Sequence, residues 1–206
     1  MSHVNFEGLR IQTDPEVLTP RDWTAAQAHW AAELSSDVPD GPVLEVCAGA
    51  GHLGLLTARL TGRDLVAVDL NPVAGTLVQQ NAEHAGVTVD VRIGDMVSVL
   101  GPQEYFPLMV VDPPWVRSRE VEGFPEDPVL AIDGGDDGLR LVRACVGVVA
   151  VHLAPEGAAI LQVGPDQGQE AAVIARAQGL AVQEVRDFPR GCLMHLAADT
   201  ADGVGA

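Results

Sequence analysis

The sequence predicts an α/β fold: a doubly wound, mainly parallel seven-stranded sheet that ends in an antiparallel C-terminal hairpin. Three observations carry this expectation. Short apolar runs alternate with stretches of helical periodicity from residue 43 to residue 177, as in a parallel sheet covered on both faces. The first run, Val43-Leu44-Glu45-Val46, enters a glycine-rich turn, Cys47-Ala48-Gly49-Ala50-Gly51, and then a stripe of Leu53, Leu56 and Leu60. Glycines at the carboxyl end of a buried strand let the backbone approach a ligand closely. The last two runs meet across Pro189-Arg190-Gly191, a connection too short for a crossover, so they run antiparallel.

Residues 4–12 and 16–19 read as two extended pieces around a Thr13-Asp14-Pro15 turn. Pro20 and Asp22 open an amphipathic helix with Trp23, Ala26, Trp30 and Leu34 on one face. A Pro/Gly/Asp linker at 37–42 leads to the first sheet strand, 43–47, and helix 52–61. Strand 65–69 precedes helix 72–85, with Asn71 as its N-cap and Pro72 at the first helical position. Strands are expected at 87–92 and 107–112, then a long loop over about 113–136. Helix 137–153, strand 158–163, helix 167–177 and strands 181–188 and 192–197 complete the chain.

Composition narrows the function. With 206 residues the chain is expected to form one domain with a sizeable core. Its 12 cations, all arginine, face 29 acids, for a net charge of −17. Long nucleic acid, which is held by a basic surface, is therefore disfavoured as a partner. No apolar run reaches the roughly 18 to 20 residues of a membrane helix, and the N-terminus does not read as a secretory signal. Cys47, Cys145 and Cys192 are odd in number and far apart, which suits reduced thiols in the cytoplasm. The six histidines show no metal-ligand spacing.

Ligands of such sheets bind outside the carboxyl ends of the strands. Three of the first four strands deliver an acid there, Asp69, Asp95 and Asp112, and the first strand carries Glu45 just before its end. Asp69 lies about twenty residues past the glycine turn, where a carboxylate accepts both hydroxyls of a ribose. Nicotinamide cofactors use the same spacing, and a turn or N-cap role is the plain alternative. Glu45 sits among apolar neighbours, and a buried acid needs partners. Asp112-Pro113-Pro114-Trp115 is the most specific element. Two prolines after a buried strand end its ladder and stiffen the turn. They fix a carboxylate and a carbonyl that can accept two N–H bonds from a planar amine or amide. Trp115 either stacks on that planar group or packs as a core aromatic.

The glycine turn after an acid resembles the first motif of class I S-adenosylmethionine (SAM) methyltransferases, a Rossmann-like family. Asp112-Pro113-Pro114-Trp115 is similar to the (Asn/Asp/Ser)-Pro-Pro-(Tyr/Phe/Trp) motif of members that methylate planar NH2 groups. Leu18-Thr19-Pro20-Arg21-Asp22-Trp23-Thr24, Ala131-Ile132-Asp133-Gly134-Gly135-Asp136-Asp137-Gly138-Leu139, Pro155-Glu156-Gly157 and Gln162-Val163-Gly164 with Gln167 resemble the HemK-type glutamine N5-methyltransferases. The likeness spans roughly residues 6–170. It implies SAM as cofactor, held by Glu45, Ala48, Gly49, Gly51, Asp69, Leu70, Asp95 and Met96. Asp95 would face the adenine amine and Glu45 the ammonium end, while Arg21 and Thr24 would close the pocket. Asp112, Pro113, Pro114 and Trp115 would orient the acceptor, with no metal and no covalent enzyme intermediate. The domains are then a short extension (1–41), a SAM-binding methyltransferase domain (42–198) and a disordered tail (199–206).

The implied acceptor is a protein glutamine amide, within a Gly-Gly-Gln motif of a translation release factor. The chain departs from the family pattern in places. Asp112 and Trp115 stand where Asn and Tyr are usual, a form also reminiscent of adenine-N6 methyltransferases. About 40 residues precede the first strand, in place of the helical domain that helps dock the release factor. Residues 116–126 match poorly. Arg117 and Arg119 in that loop either hold a substrate carboxylate or phosphate, or pair with Glu120, Glu122 and Glu126. A small metabolite or nucleobase amine is the alternative acceptor, and a non-catalytic SAM-binding subunit the alternative of another class.

Overall fold

The structure, a computed structural model, describes residues 2–199. The chain opens with an antiparallel hairpin, β1 (Ser2–Phe6) and β2 (Leu9–Thr13). Its turn is Glu7-Gly8, with φ of 49° and 80° at the two residues, and Asn5 Oδ1 accepts the Gly8 N–H. Two successive residues at positive φ make a two-residue turn that matches strand twist. The first expected extended piece is thus broken at residues 7–8, and residues 16–19 form no strand. A 3-10 turn over Asp22–Thr24 leads into α1 (Ala25–Leu34). The buried face of α1 is Ala25, Gln27, Ala28, Trp30 and Ala31, while Trp23, Ala26 and Leu34 are only half-buried. Small residues let α1 lie close to the sheet, and Gln27 shows the consequence. It is fully buried and donates to the carbonyls of Val111 (3.0 Å) and Ile160 (2.7 Å).

Strands and helices then alternate: β3 (Val43–Val46), α2 (His52–Thr61), β4 (Leu65–Asp69), α3 (Pro72–Ala85) and β5 (Val89–Ile93). A short α4 (Met96–Val99) precedes β6 (Phe106–Val111). The expected long loop holds a 3-10 turn over Ser118–Gly123, a short α5 (Val129–Ile132) and a parallel bridge between Val116 and Asp133. The next helix, α6 (Arg140–His152), starts three residues later than expected. Gly138 has φ of 75°, which no right-handed helix accepts, and the Asp137 carboxylate closes a turn ahead of the helix by accepting the Leu139 N–H. The rest is β7 (Leu153–Val163), α7 (Gly168–Ala177), β8 (Leu180–Phe188) and β9 (Gly191–Ala198). Of the expected tail, Asp199 still donates its N–H to the Gly179 carbonyl, and residues 200–206 lie outside the described residues.

The seven-stranded sheet has the order β5-β4-β3-β6-β7-β9-β8. The first five are parallel, and β9 is antiparallel to both β7 and β8. Pro107 sits in a central strand, where a missing N–H would break the ladder; the β6–β7 register shifts between Phe106 and Leu108 to accommodate it. One face packs under the hairpin, α1, α2 and α3, the other under α6 and α7. The sheet order turns back between β3 and β6, so their carboxyl ends flank the switch point where a cleft must form. Among the described residues no helix is long and apolar enough to cross a membrane.

Candidate active site

The carboxyl ends of β3, β4, β5 and β6 open on one cavity of about 700 Å³. Six carboxylates lie in its described wall, those of Glu16, Glu45, Asp69, Asp95, Asp112 and Asp133, against one arginine, Arg140.

The glycine turn forms the floor. Gly49 has φ of 54° and Gly51 φ of 78°, both in the left-handed region, and Gly51 opens α2. Ala48 and Gly49 line the cavity; Gly51 does not, because it faces Val78, whose Cγ2 would lie 3.0 Å from an added Cβ. Asp69 ends β4 and holds the turn in place. Its Oδ2 accepts the Gly49 N–H and its Oδ1 the Asn71 N–H, both at 2.8 Å. Burial pushes its carboxyl above the usual range, against the pull of these bonds. Glu45 is 2% exposed. It has no ion-pair partner among the described residues, and burial pushes the carboxyl up to about 8 against the pull of the Gly54 and Leu53 N–H groups at the start of α2.

Leu70, Asp95, Met96 and Val97 form the next wall. Asp95 caps α4 by accepting the Val97 N–H at 3.0 Å, so its turn role is realised while it stays at the cavity edge. At the end of β6, Asp112 and Pro114 reach the cavity. Protein surrounds the Asp112 carboxyl on its other sides, and that burial raises it to about 7. Pro113 and Trp115 are not in the wall. Trp115 stands behind it, its Cε3 3.0 Å from a Cβ built on Gly164, while its carbonyl accepts from Gln167 Nε2 at 3.0 Å. Of the two roles open to Trp115, packing is the one that its contact with Gly164 favours.

Arg21 and Thr24 also stay out of the wall. Arg21 pairs with Asp127 at 2.5 Å, and Thr24 Oγ1 lies 3.4 Å from His52 Nε2, which ties the N-terminal segment to the loop and to the glycine turn. The part of that segment that reaches the cavity is Glu16, Val17 and Leu18, fastened where Asn71 Nδ2 donates to the Glu16 carbonyl at 3.0 Å. Sequence reasoning missed these three as wall residues, and also Asn71, Asp133 and Arg140. Of the loop cations, Arg117 pairs with Asp166 at 2.8 Å and Arg119 with Glu120 at 3.4 Å; neither lines the cavity. Pairing wins for both; Arg117 meets the expected Glu120 at 3.8 Å and adds Asp166 from another loop.

The wall suits a ligand that is net positive and rich in N–H and O–H donors. Six acids line the cavity against one arginine, and burial raises the carboxyls of Glu45, Asp69 and Asp112, so a cationic ligand would relieve the cost of ionising them. SAM brings a sulfonium, an ammonium, two ribose hydroxyls and an adenine amine. A pyrophosphate-bearing dinucleotide would set two further negative charges among the acids.

Two consequences can be measured in the ligand-free protein. Glu45 and Asp112, held near 8 and 7, bind protons more tightly folded than unfolded, where their ordinary values are 4.5 and 3.8. Between those limits the folded state carries the extra protons, so their contribution to stability falls as pH rises from about 5 to 8. Urea midpoints across that range should decline, and Glu45→Gln should flatten the slope; an unchanged slope would remove Glu45 as its source. Gly54 lies in the first turn of α2 against the same carboxylate. A Cβ there would fall within 2.4 Å of Glu45 Oε2 and 2.7 Å of Leu65 Cδ1. Gly54→Ala should cost about 2–3 kcal/mol by overpacking, read as a lower urea midpoint. A midpoint equal to wild type would mean that Glu45 has room to move.

The family described as methyltransferase small domain matches residues 8–124. The chain is 34% identical over 182 residues to a release factor glutamine methyltransferase of Deinococcus radiodurans, a match covering 85% of this chain and 64% of the relative. It is 32% identical over 184 residues to the protein of the same name from Moorella thermoacetica, covering 86% and 65%. The chain thus spans just under two thirds of the length of these curated relatives. A ribosomal protein L11 methylase from Lactobacillus delbrueckii subsp. bulgaricus superposes with a TM-score of 0.68 at 15% identity, covering 91% of this chain and 84% of that one, a likeness of fold.

Proposed function

Because the chain belongs to the methyltransferase small domain family, we propose that it is a SAM-dependent N-methyltransferase whose acceptor is a glutamine side-chain amide in a protein. The carrying observation is Asp112, fixed by a Pro-Pro turn at the end of β6 with its carboxyl in the cavity wall. When bound, SAM supplies a methyl group on a sulfonium, an electrophile that needs only a well-aimed nucleophile. Every other requirement falls on this chain's residues.

An amide nitrogen is a poor nucleophile because its lone pair is delocalised. Asp112, as a carboxylate, accepts an N–H from the acceptor, favours the positive charge that develops there and can take the proton the nitrogen loses. The two prolines after it keep the carboxylate from moving. Glu45, Asp69 and Asp95 are suited to the cofactor's ammonium, ribose and adenine donors, with Ala48, Gly49, Leu70 and Met96 against its apolar faces. The curated relatives, both named as release factor glutamine methyltransferases, support glutamine as the acceptor. On this reading the chain works in the cytoplasm on a translation protein.

The test is methyl transfer from labelled SAM to a Gly-Gly-Gln peptide, with the site located by mass spectrometry. A single methyl on the glutamine amide supports the reading. Transfer only to free nucleobase amines or small amines would replace the acceptor class and keep the chemistry.

A further inference from the structure

We propose that Arg140 selects acceptors by binding a carboxylate that the acceptor carries near its methylated nitrogen. This rests on reading the cavity as a methyl-transfer site. Arg140 is the first residue of α6 and the one arginine in the described wall. Arg21, Arg92, Arg117, Arg119, Arg143 and Arg186 all form ion pairs with acids. Arg140 forms none among the described residues, as is true also of Arg10, Arg59, Arg63, Arg176 and Arg190, and of these six it alone lines the cavity. Its side chain is exposed; its Nη2 donates to the Asp133 carbonyl at 3.3 Å, and its charge helps hold the Asp133 carboxyl below the usual range without a contact ion pair. The nearby Asp133 carboxylate is already engaged, accepting from Ser118 Oγ at 2.7 Å and from the Gly135 N–H at 2.9 Å. A fork of five N–H donors is left largely unspent at the mouth of an acidic cavity.

Its backbone ties it to the segment that carries Asp112, although α6 also meets the cofactor wall, where Cys145 Sγ lies 3.6 Å from Met96 Sδ. The Arg140 N–H donates to the Gly134 carbonyl and the Gly134 N–H to the Val116 carbonyl, each at 2.8 Å. Gly134 also packs on the Pro-Pro-Trp turn, since a Cβ there would lie 2.8 Å from Trp115 Cα. Arg140 is thus anchored to the segment that follows Asp112. The glycine turn, Asp69 and Asp95 belong to β3, β4, β5 and the helices after them. A guanidinium recognises a carboxylate bidentately, which gives orientation as well as attraction.

The experiment uses C-terminally amidated peptides with glutamate or serine on both sides of Gly-Gly-Gln. Wild-type protein, Arg140→Gln and Arg140→Glu are compared in methyl transfer and in peptide binding to the S-adenosylhomocysteine-saturated protein. Wild type should favour the glutamate peptide by roughly fivefold, through KM, as a partly exposed ion pair allows. Arg140→Gln should erase the preference and Arg140→Glu invert it, with S-adenosylhomocysteine affinity unchanged. Equal binding of the two peptides by wild type overturns the inference. So does an Arg140→Gln protein that binds S-adenosylhomocysteine more weakly but methylthioadenosine normally, because Arg140 would then hold the cofactor's own carboxylate. If wild type binds the glutamate peptide better yet methylates neither, the inference stands and the glutamine reading falls.

Discussion

Replacing Asp112 with alanine is expected to slow methyl transfer by about a thousandfold while S-adenosylhomocysteine affinity stays within about threefold of wild type. The asymmetry follows from where the residue sits. Asp112 directly follows β6, whose last residue, Val111, is held from two sides by the β3 and β7 ladders and by Gln27 donating to its carbonyl. Truncating its side chain removes an acceptor from the cavity without disturbing the glycine turn or Asp69 on the neighbouring strands. Asp112→Asn keeps one acceptor oxygen in the same place and should lose far less, about tenfold, because the amide cannot take a proton. The carboxyl's position near 7 adds a second reading: transfer should rise with pH through that region in wild type, as the ionised form becomes available, and lose this limb in Asp112→Asn. Single-turnover rates at saturating SAM decide the matter. An alanine variant within tenfold of wild type would strip Asp112 of its assigned role.

The parts of this site that were legible in the sequence are those written in local chemistry. Buried strands announce themselves as apolar runs, and Asn71-Pro72 marks a helix start whose cap the structure realises, with Asn71 Oδ1 accepting the Val73 N–H. The glycine turn and the four acids fall at one sheet edge because parallel topology puts them there. What was illegible depends on contacts between distant segments. Glu16, Val17 and Leu18 have no pattern of their own; they reach the cavity because Asn71, 55 residues away, holds the Glu16 carbonyl. The position of Arg117 after the Pro-Pro turn suited a substrate cation or an ion pair equally; Glu120 and, from a different loop, Asp166 take it, and Arg140, further along the chain, lines the wall. The hairpin turn at Glu7-Gly8 did carry a signal, the alternation of Phe6, Leu9 and Ile11 around a glycine, all three of which are buried.

Asp69→Ala should lower affinity for SAM and S-adenosylhomocysteine by about a hundredfold, the scale of losing two or three hydrogen bonds to a charged acceptor. Two effects add. The carboxylate that is suited to the ribose hydroxyls disappears, and the Gly49 and Asn71 N–H groups lose the oxygens that fix them at 2.8 Å. Since Gly49 already sits at φ of 54°, the freed turn can relax away from the geometry that the cofactor requires. The strands on either side are held by their own ladders, so the fold should survive, with a melting temperature only a few degrees lower. Calorimetry with SAM, S-adenosylhomocysteine and NAD on both proteins separates the possibilities. Micromolar binding of the first two, lost in the variant, fits the assignment of Asp69. NAD binding wild type as tightly would mean that the six-acid wall tolerates a pyrophosphate, and the charge argument for a cationic cofactor would fail.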